Sequence, residues 1–204
     1  MTVTALRQTA PDRLTVCLSD GEEIRSTPAA AADLRLYAGR ELSDEEKRVL
    51  KAASSLALAK ARALQLLGQR PMSGRELAAK LRQKGESEQD AESAVQWLME
   101  NRLLDDKDYA AAVARHYTAK GYGAGRIRTE LRRRGVEREL WDEALEQRPD
   151  GQEKLDKFIS SRLRDPEDRD QVRRVSAALF RRGFSWEEIR AALRRYSVET
   201  EEED

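Results

Sequence analysis

The sequence predicts a mainly α-helical protein of three tandem three-helix repeats in an elongated array, with a small strand-bearing extension in front. Three observations carry this. Leu77-x3-Leu81-x2-Lys84-Gly85, Ile127-x3-Leu131-x2-Arg134-Gly135 and Val175-x3-Leu179-x2-Arg182-Gly183 share one frame. Their glycines lie 50 and 48 residues apart, and a new helical pattern opens two residues after each, at Ser87, Glu137 and Ser185. Self-similarity at a steady period of that size marks helical repeats rather than one globular core. Charged residues reach 37% and aromatics only 5%, a thin core under much surface, where ordinary soluble proteins carry ~25% charge.

Residues 1–40 read as the accessory unit. Leu14, Val16 and Leu18 alternate with Thr15 and Cys17, and Asp20-Gly21 turns the chain into Glu23-Ile24-Arg25. With Val3–Leu6 these form a three-stranded antiparallel sheet that needs a covering element. Strands are expected only before residue 28, and residues 43–197 are expected to be nearly all helical. Thr27-Pro28 opens a helix running to Tyr37, before Gly39. Ser43-x-x-Glu46 is a capping box opening a linking helix over 41–56. That helix continues toward Gly68, with Ser54-Ser55 the place for a break.

The first repeat spans 57–104. Arg70-Pro71 interrupts it, Ser73-x-x-Glu76 caps its second helix and Ser87-x-x-Asp90 its third. Leu103-Leu104-Asp105-Asp106 turns into the second repeat, 105–149, whose helices carry Tyr109, Val113 and Tyr117, then the arginine stretch, then Leu140, Trp141, Ala144 and Leu145. The third repeat, 150–197, holds Leu155–Leu163, Arg173–Arg182 and Ser185–Tyr196 behind Ser185-x-x-Glu188. The last six residues contain five acids, so 198–204 reads as a disordered acidic tail.

Net charge is zero, but it is segregated. Residues 113–136 carry seven bases, Arg115, Lys120, Arg126, Arg128, Arg132, Arg133 and Arg134, against Glu130 alone, a net of +6. Residues 85–108 carry a net of −6. Arginine this dense on one short helix repels itself unless an anion is at hand. By the repeat, Arg173, Arg174, Arg181 and Arg182 are the equivalent face of the third repeat, and stacked units would line both along one groove. Guanidinium forks suit phosphate or carboxylate. The alternative is a solvated basic surface paired with the acidic first repeat.

Catalytic chemistry is not indicated. One histidine, His116, and one cysteine, Cys17, exclude the usual zinc spacings. Asp105, Asp106 and Asp108 stand where a helix start favours carboxylates, so no metal and no cofactor is expected. Gly121-x-Gly123-x-Gly125 follows a helix rather than a strand and lacks Gly-Lys-Ser/Thr, which disfavours a phosphate loop. Trp97, Trp141, Phe158, Phe180, Phe184 and Trp186 fall at helix-packing positions and are expected in the core. A lone cysteine, no long apolar run and no leader pattern point to the cytoplasm.

Three linked motifs resemble the RecX family of recombination regulators: Arg70-Pro71-x-Ser73-x2-Glu76-Leu77-x2-Lys80-Leu81-x2-Lys84-Gly85, Leu103-Leu104-Asp105-Asp106-x2-Tyr109-Ala110, and Lys120-Gly121-x-Gly123-x2-Arg126-Ile127-x2-Glu130-Leu131-x3-Gly135-Val136. The resemblance covers about 57–196, and 1–40 is similar to an extension some members carry. The third repeat keeps Gly183-Phe184 without the Glu-Leu pair. The resemblance implies a non-enzymatic protein of DNA recombination, repair and the SOS response. It implies a monomer that binds the RecA recombinase filament on single-stranded DNA and inhibits ATPase and strand exchange, with direct single-stranded DNA binding in some members. The eleven bases named above would serve both partners. Two other readings stay open: a helix-turn-helix DNA reader, against which no helix is rich in the Asn, Gln or Ser that read base edges alongside arginine, and an adaptor for acidic peptides.

Overall fold

The structure, a computed structural model, describes the backbone of residues 1–203 and the side chains of residues 1–197. Of the tail expected to be disordered, 198–204, the side chains fall outside the described residues, while its backbone through Glu203 belongs to the last helix. The chain forms two compact units, Met1–Asp105 and Asp106–Asp204.

In the first unit, β1 (Val3–Ala10), β2 (Arg13–Leu18) and β3 (Glu23–Ser26) pair antiparallel in that order. Val16 pairs with Ile24 and Leu14 with Ser26, so the alternating apolar residues share one face. Val3, Leu14, Val16, Leu18 and Ile24 are buried there against Leu42 and Leu50. All three strands precede residue 28; beyond them, among the described residues, only a single-residue bridge joins Thr2 to Glu41.

Helix α1 (Pro28–Asp33) starts as expected, with Thr27 accepting from the Ala30 amide, but it ends four residues before Tyr37. Leu34 and Leu36 both pack on the sheet core. Two residues apart on a helix they would point ~200° from each other, so the chain leaves the helix through Arg35 at φ +50°. The Arg40 guanidinium donates to the carbonyls of Leu34 and Arg35.

Helix α2 (Asp44–Gln69) carries both halves of the unit without the break expected at Ser54-Ser55. The Ser43 capping box forms, and Leu50 covers the sheet while Ala59, Ala63 and Leu66 face the helical core. The two serines turn their hydroxyls outward from the helix. Buried Ser54 donates to Ser26 Oγ at 2.8 Å, and Ser55 to the Asp90 carboxylate at 2.6 Å. With partners elsewhere, they do not compete for the helix's own carbonyls. Helices α3 (Gly74–Gln83) and α4 (Glu88–Glu100), capped by Ser73 and Ser87, complete the first three-helix domain around Leu77, Leu81 and Leu98.

The second unit holds two more such domains. One comprises α5 (Asp106–Ala119), α6 (Ala124–Arg133), a 3-10 turn at Arg138–Leu140 and α7 (Trp141–Glu146), around Ile127, Leu131 and Trp141. The other comprises α8 (Gln152–Ser160), α9 (Arg169–Arg181) and α10 (Trp186–Glu203), around Ile159, Leu163, Leu179 and Ile189. Helix α9 starts four residues earlier than Arg173 because Asp168 caps it, accepting from the amides of Asp170 and Gln171.

The repeated glycines close the second helix of each domain identically. Gly85, Gly135 and Gly183 have φ of +92°, +72° and +89°. The next residue's amide reaches back five positions: Glu86 to Leu81, Val136 to Leu131, Phe184 to Leu179, at 3.1, 3.0 and 3.3 Å. This is the Schellman closure, which glycine enters without a Cβ penalty. Gly183 has a second task. Gly123 donates its amide to Arg182 O at 3.0 Å and Gly125 to Gly183 O at 2.9 Å. The Gly-x-Gly-x-Gly turn therefore docks the N-terminus of α6 onto the α9–α10 turn.

These two glycines define a test. At Gly85 nothing lies within 4 Å of an added Cβ, whereas at Gly183 it would fall 2.8 Å from the Arg126 Cβ and closer still to its amide. Gly85→Ala is expected to cost only the left-handed penalty, about 1–2 kcal/mol. Gly183→Ala should cost at least about twice that, strain and clash together. Urea unfolding of the two variants measures this; equal losses would remove the packing role of Gly183.

Candidate functional site

Helix α6 turns Ile127 and Leu131 into the core, and Glu130 goes with them. The Glu130 side chain is only 3% exposed, yet it is the one acid among five arginines. It meets Arg126 at 2.9 Å and Arg133 at 2.7 Å, with Arg134 Nε at 3.9 Å. Arg134 also donates to the Tyr109 hydroxyl at 2.9 Å. Burial alone would push the Glu130 carboxyl up. Hydrogen bonds from Arg133 and Tyr117, with the charges of Arg133 and Arg126, outweigh it and hold the group below the usual glutamate range.

The opposite side of α6, formed by Gly125, Arg128, Thr129 and Arg132, faces solvent. Arg128 approaches Asp142 at 3.4 Å, a loose pair, and Arg132 lies 5.6 Å over the Trp141 ring. Two grooves flank this face. One, of about 540 Å³, runs between it and Arg138, Trp141 and Asp142. The other, of about 460 Å³, runs between Arg126, Arg128 and Thr129 and the Phe180, Arg181 and Ser185 of the third domain.

The eleven sequence-nominated bases thus separate. Arg128 and Arg132 form the centre, with Arg126 and Arg181 at its edge. Arg133 and Arg134 are drawn toward Glu130. Arg182 is committed to the domain joint: its guanidinium lies over Tyr122 at 5.5 Å and Phe158 at 4.6 Å and donates to Gly121 O at 3.4 Å. Arg115 and Lys120 are exposed on α5 and its end, and Arg173, paired with Asp170, and Arg174 lie on α9. None of these four lines either groove. Arg138 was not nominated; it lies beyond Gly135, outside the helix pattern that drew attention to the others.

The aromatic expectation is corrected in part. Trp141 and Phe184 are buried, and Trp97 and Phe158 half-buried. Phe180 and Trp186 are 52% and 50% exposed. Phe180 follows Leu179, and neighbours ~100° apart on a helix cannot both face one core. Trp186 opens α10, ahead of its core residues Ile189 and Ala192. His116 is exposed, its ring 5.4 Å from that of Tyr117. Asp106 and Asp108 occupy the first turn of α5. Among the described residues no cluster of His, Cys, Asp or Glu could hold a metal ion, and no helix is long and apolar enough to cross a membrane.

Fold and site together define a protein of tandem three-helix domains with an exposed basic helix face in the second. Models of the first, second and third three-helix domains of RecX match residues 59–98, 105–145 and 150–193. Regulatory protein RecX of Vibrio vulnificus is 35% identical over 135 residues, 64% of this chain and 88% of that one. Its counterpart in Pseudomonas entomophila is 38% identical over 133 residues, 62% and 84% of the two chains. A crystal structure of regulatory protein RecX superposes with a TM-score of 0.73 at 26% identity, covering 92% of this chain and 96% of that one. The chain belongs to the RecX family of regulatory proteins.

Glu130 yields a pH-dependent expectation. Its folded pKa is lowered, so its stabilisation is present above the unfolded glutamate value of ~4.3 and lost as pH falls through the folded value. Glu130→Gln should lower stability at neutral pH by about 1.5–3 kcal/mol, the range for hydrogen bonds to charged groups. The gap to wild type should close as pH drops below ~4. Urea midpoints across that range check it; a gap independent of pH would contradict the carboxylate's role.

Proposed function

We propose that this chain is a non-enzymatic regulator that binds the RecA recombinase filament on single-stranded DNA and inhibits its ATPase and strand exchange. The solvent side of α6 is the contact. Family membership supports the regulatory role, and one observation supports the site: Arg128 and Arg132 stand a turn apart on an exposed face, with Arg138 and Arg181 across the two grooves. Arginine forks at that spacing suit phosphates or the carboxylates of an acidic protein surface. Glu130 occupies the arginines on the inner flank, which leaves the outer pair to carry the interaction.

Arg128→Glu with Arg132→Glu should raise the amount needed for half-inhibition of RecA ATPase at least about tenfold, or roughly 1.4 kcal/mol. Both sites are exposed, so stability should stay within ~0.5 kcal/mol of wild type. Titration of the ATPase beside a thermal melt decides the matter. A double variant that melts normally and inhibits as well as wild type would place the contact elsewhere.

A further inference from the structure

The rings of Phe180 and Trp186 stack on each other in the open, centroids 5.1 Å apart and planes tilted by 19°. Both are half exposed, although a tryptophan at a helix start gains nothing from solvent. They are also the two large apolar side chains exposed among the described residues of the second unit. This is not the surface that docks a folded protein, which takes a contiguous apolar patch of several hundred Å² (~300–600). Here the surroundings are cationic and polar. Phe180 forms one wall of the groove of about 460 Å³, with Arg181 beside it and Arg126, Arg128 and Thr129 opposite. The one carboxylate lining that groove, Glu188, is occupied: it accepts from the Ser185 amide at 2.7 Å and meets Arg148 at 3.6 Å. The groove's free charge is therefore positive.

We propose that Phe180 and Trp186 are a base-stacking platform for single-stranded nucleic acid, with Arg181 and Arg128 holding the phosphates that flank the stacked bases. A π-face of fixed orientation beside a line of guanidinium groups is the combination that retains unpaired strands irrespective of sequence. A duplex hides its base faces and has none to offer. This deepens the proposed function by assigning the strand its own subsite, distinct from any surface of the recombinase.

The test needs no recombinase, so its failure leaves filament regulation to be judged separately. The full chain is titrated with an oligothymidylate of about 16 nucleotides, and with an abasic strand of equal length, at several salt concentrations. Tryptophan emission should be quenched by the thymidylate. Trp186→Phe should retain most of the affinity and remove most of the quench, because Trp186 is half exposed and stands at the proposed platform whereas Trp141 is buried. Phe180→Ala and Trp186→Ala should each weaken thymidylate binding about tenfold, leaving abasic binding and the salt slope unchanged. Arg181→Ala should instead flatten the slope by about 0.7. The proposal is overturned if wild type does not bind the thymidylate. It is also overturned if the quench survives Trp186→Phe, or if the alanine variants weaken both strands equally or neither. Alanine variants that bind thymidylate normally but fail to inhibit the filament would make the rings a protein contact, again overturning it. Should an alanine variant melt early, the quench and its loss in Trp186→Phe decide alone.

Discussion

Each three-helix domain depends on a glycine held at positive φ after its second helix, since that residue alone sets the direction of the third. The same two bonds recur at Gly85, Gly135 and Gly183: the glycine amide reaches back three residues and the following amide five, in each case to equivalent carbonyls. A residue with a Cβ pays about 1–2 kcal/mol to enter that region. In the third domain the constraint is doubled, because the carbonyls of Arg182 and Gly183 receive the amides of Gly123 and Gly125. One turn therefore closes its own domain and fixes where α6 begins, and with it the arginines that α6 presents.

Electrostatics then sorts those arginines. Five guanidinium groups on a helix of ten residues and its cap would repel one another. Glu130, buried on the core side, holds Arg126 and Arg133 and adjoins Arg134, which removes part of that repulsion from the inner flank. A buried carboxylate is stable only with such partners. The remaining arginines, Arg128 and Arg132, point outward with loose or no carboxylate pairing, and their charge is available to an anion. Organisation of the face is thus a consequence of one residue below it.

Much of the fold was legible because local rules settle it. Leucine spacing, terminal glycine and serine caps at Ser43, Ser73, Ser87 and Ser185 each depend on residues within one turn, and all four caps formed. Strand alternation placed the sheet for the same reason. What escaped was tertiary. Ser54 and Ser55 do not break α2 because Ser26 and Asp90, far along the chain, take their hydroxyls. Arg182 looked like its neighbours, but the rings of Tyr122 and Phe158 enclose it at the joint. Phe180 and Trp186 have the composition of core and the position of surface. Periodicity tells which residues share a face; it does not tell which faces another domain will cover.

The claim on which the account turns is that the outer side of α6 meets the filament. A photo-crosslinking side chain at Thr129, exposed at the centre of that side, probes it directly, with the same group at exposed Glu92 of the first domain as comparison. In the presence of RecA assembled on single-stranded DNA, the account predicts capture of the recombinase or its strand from Thr129 and none from Glu92. Capture from Glu92 alone, or from neither while the filament is still inhibited, would contradict it.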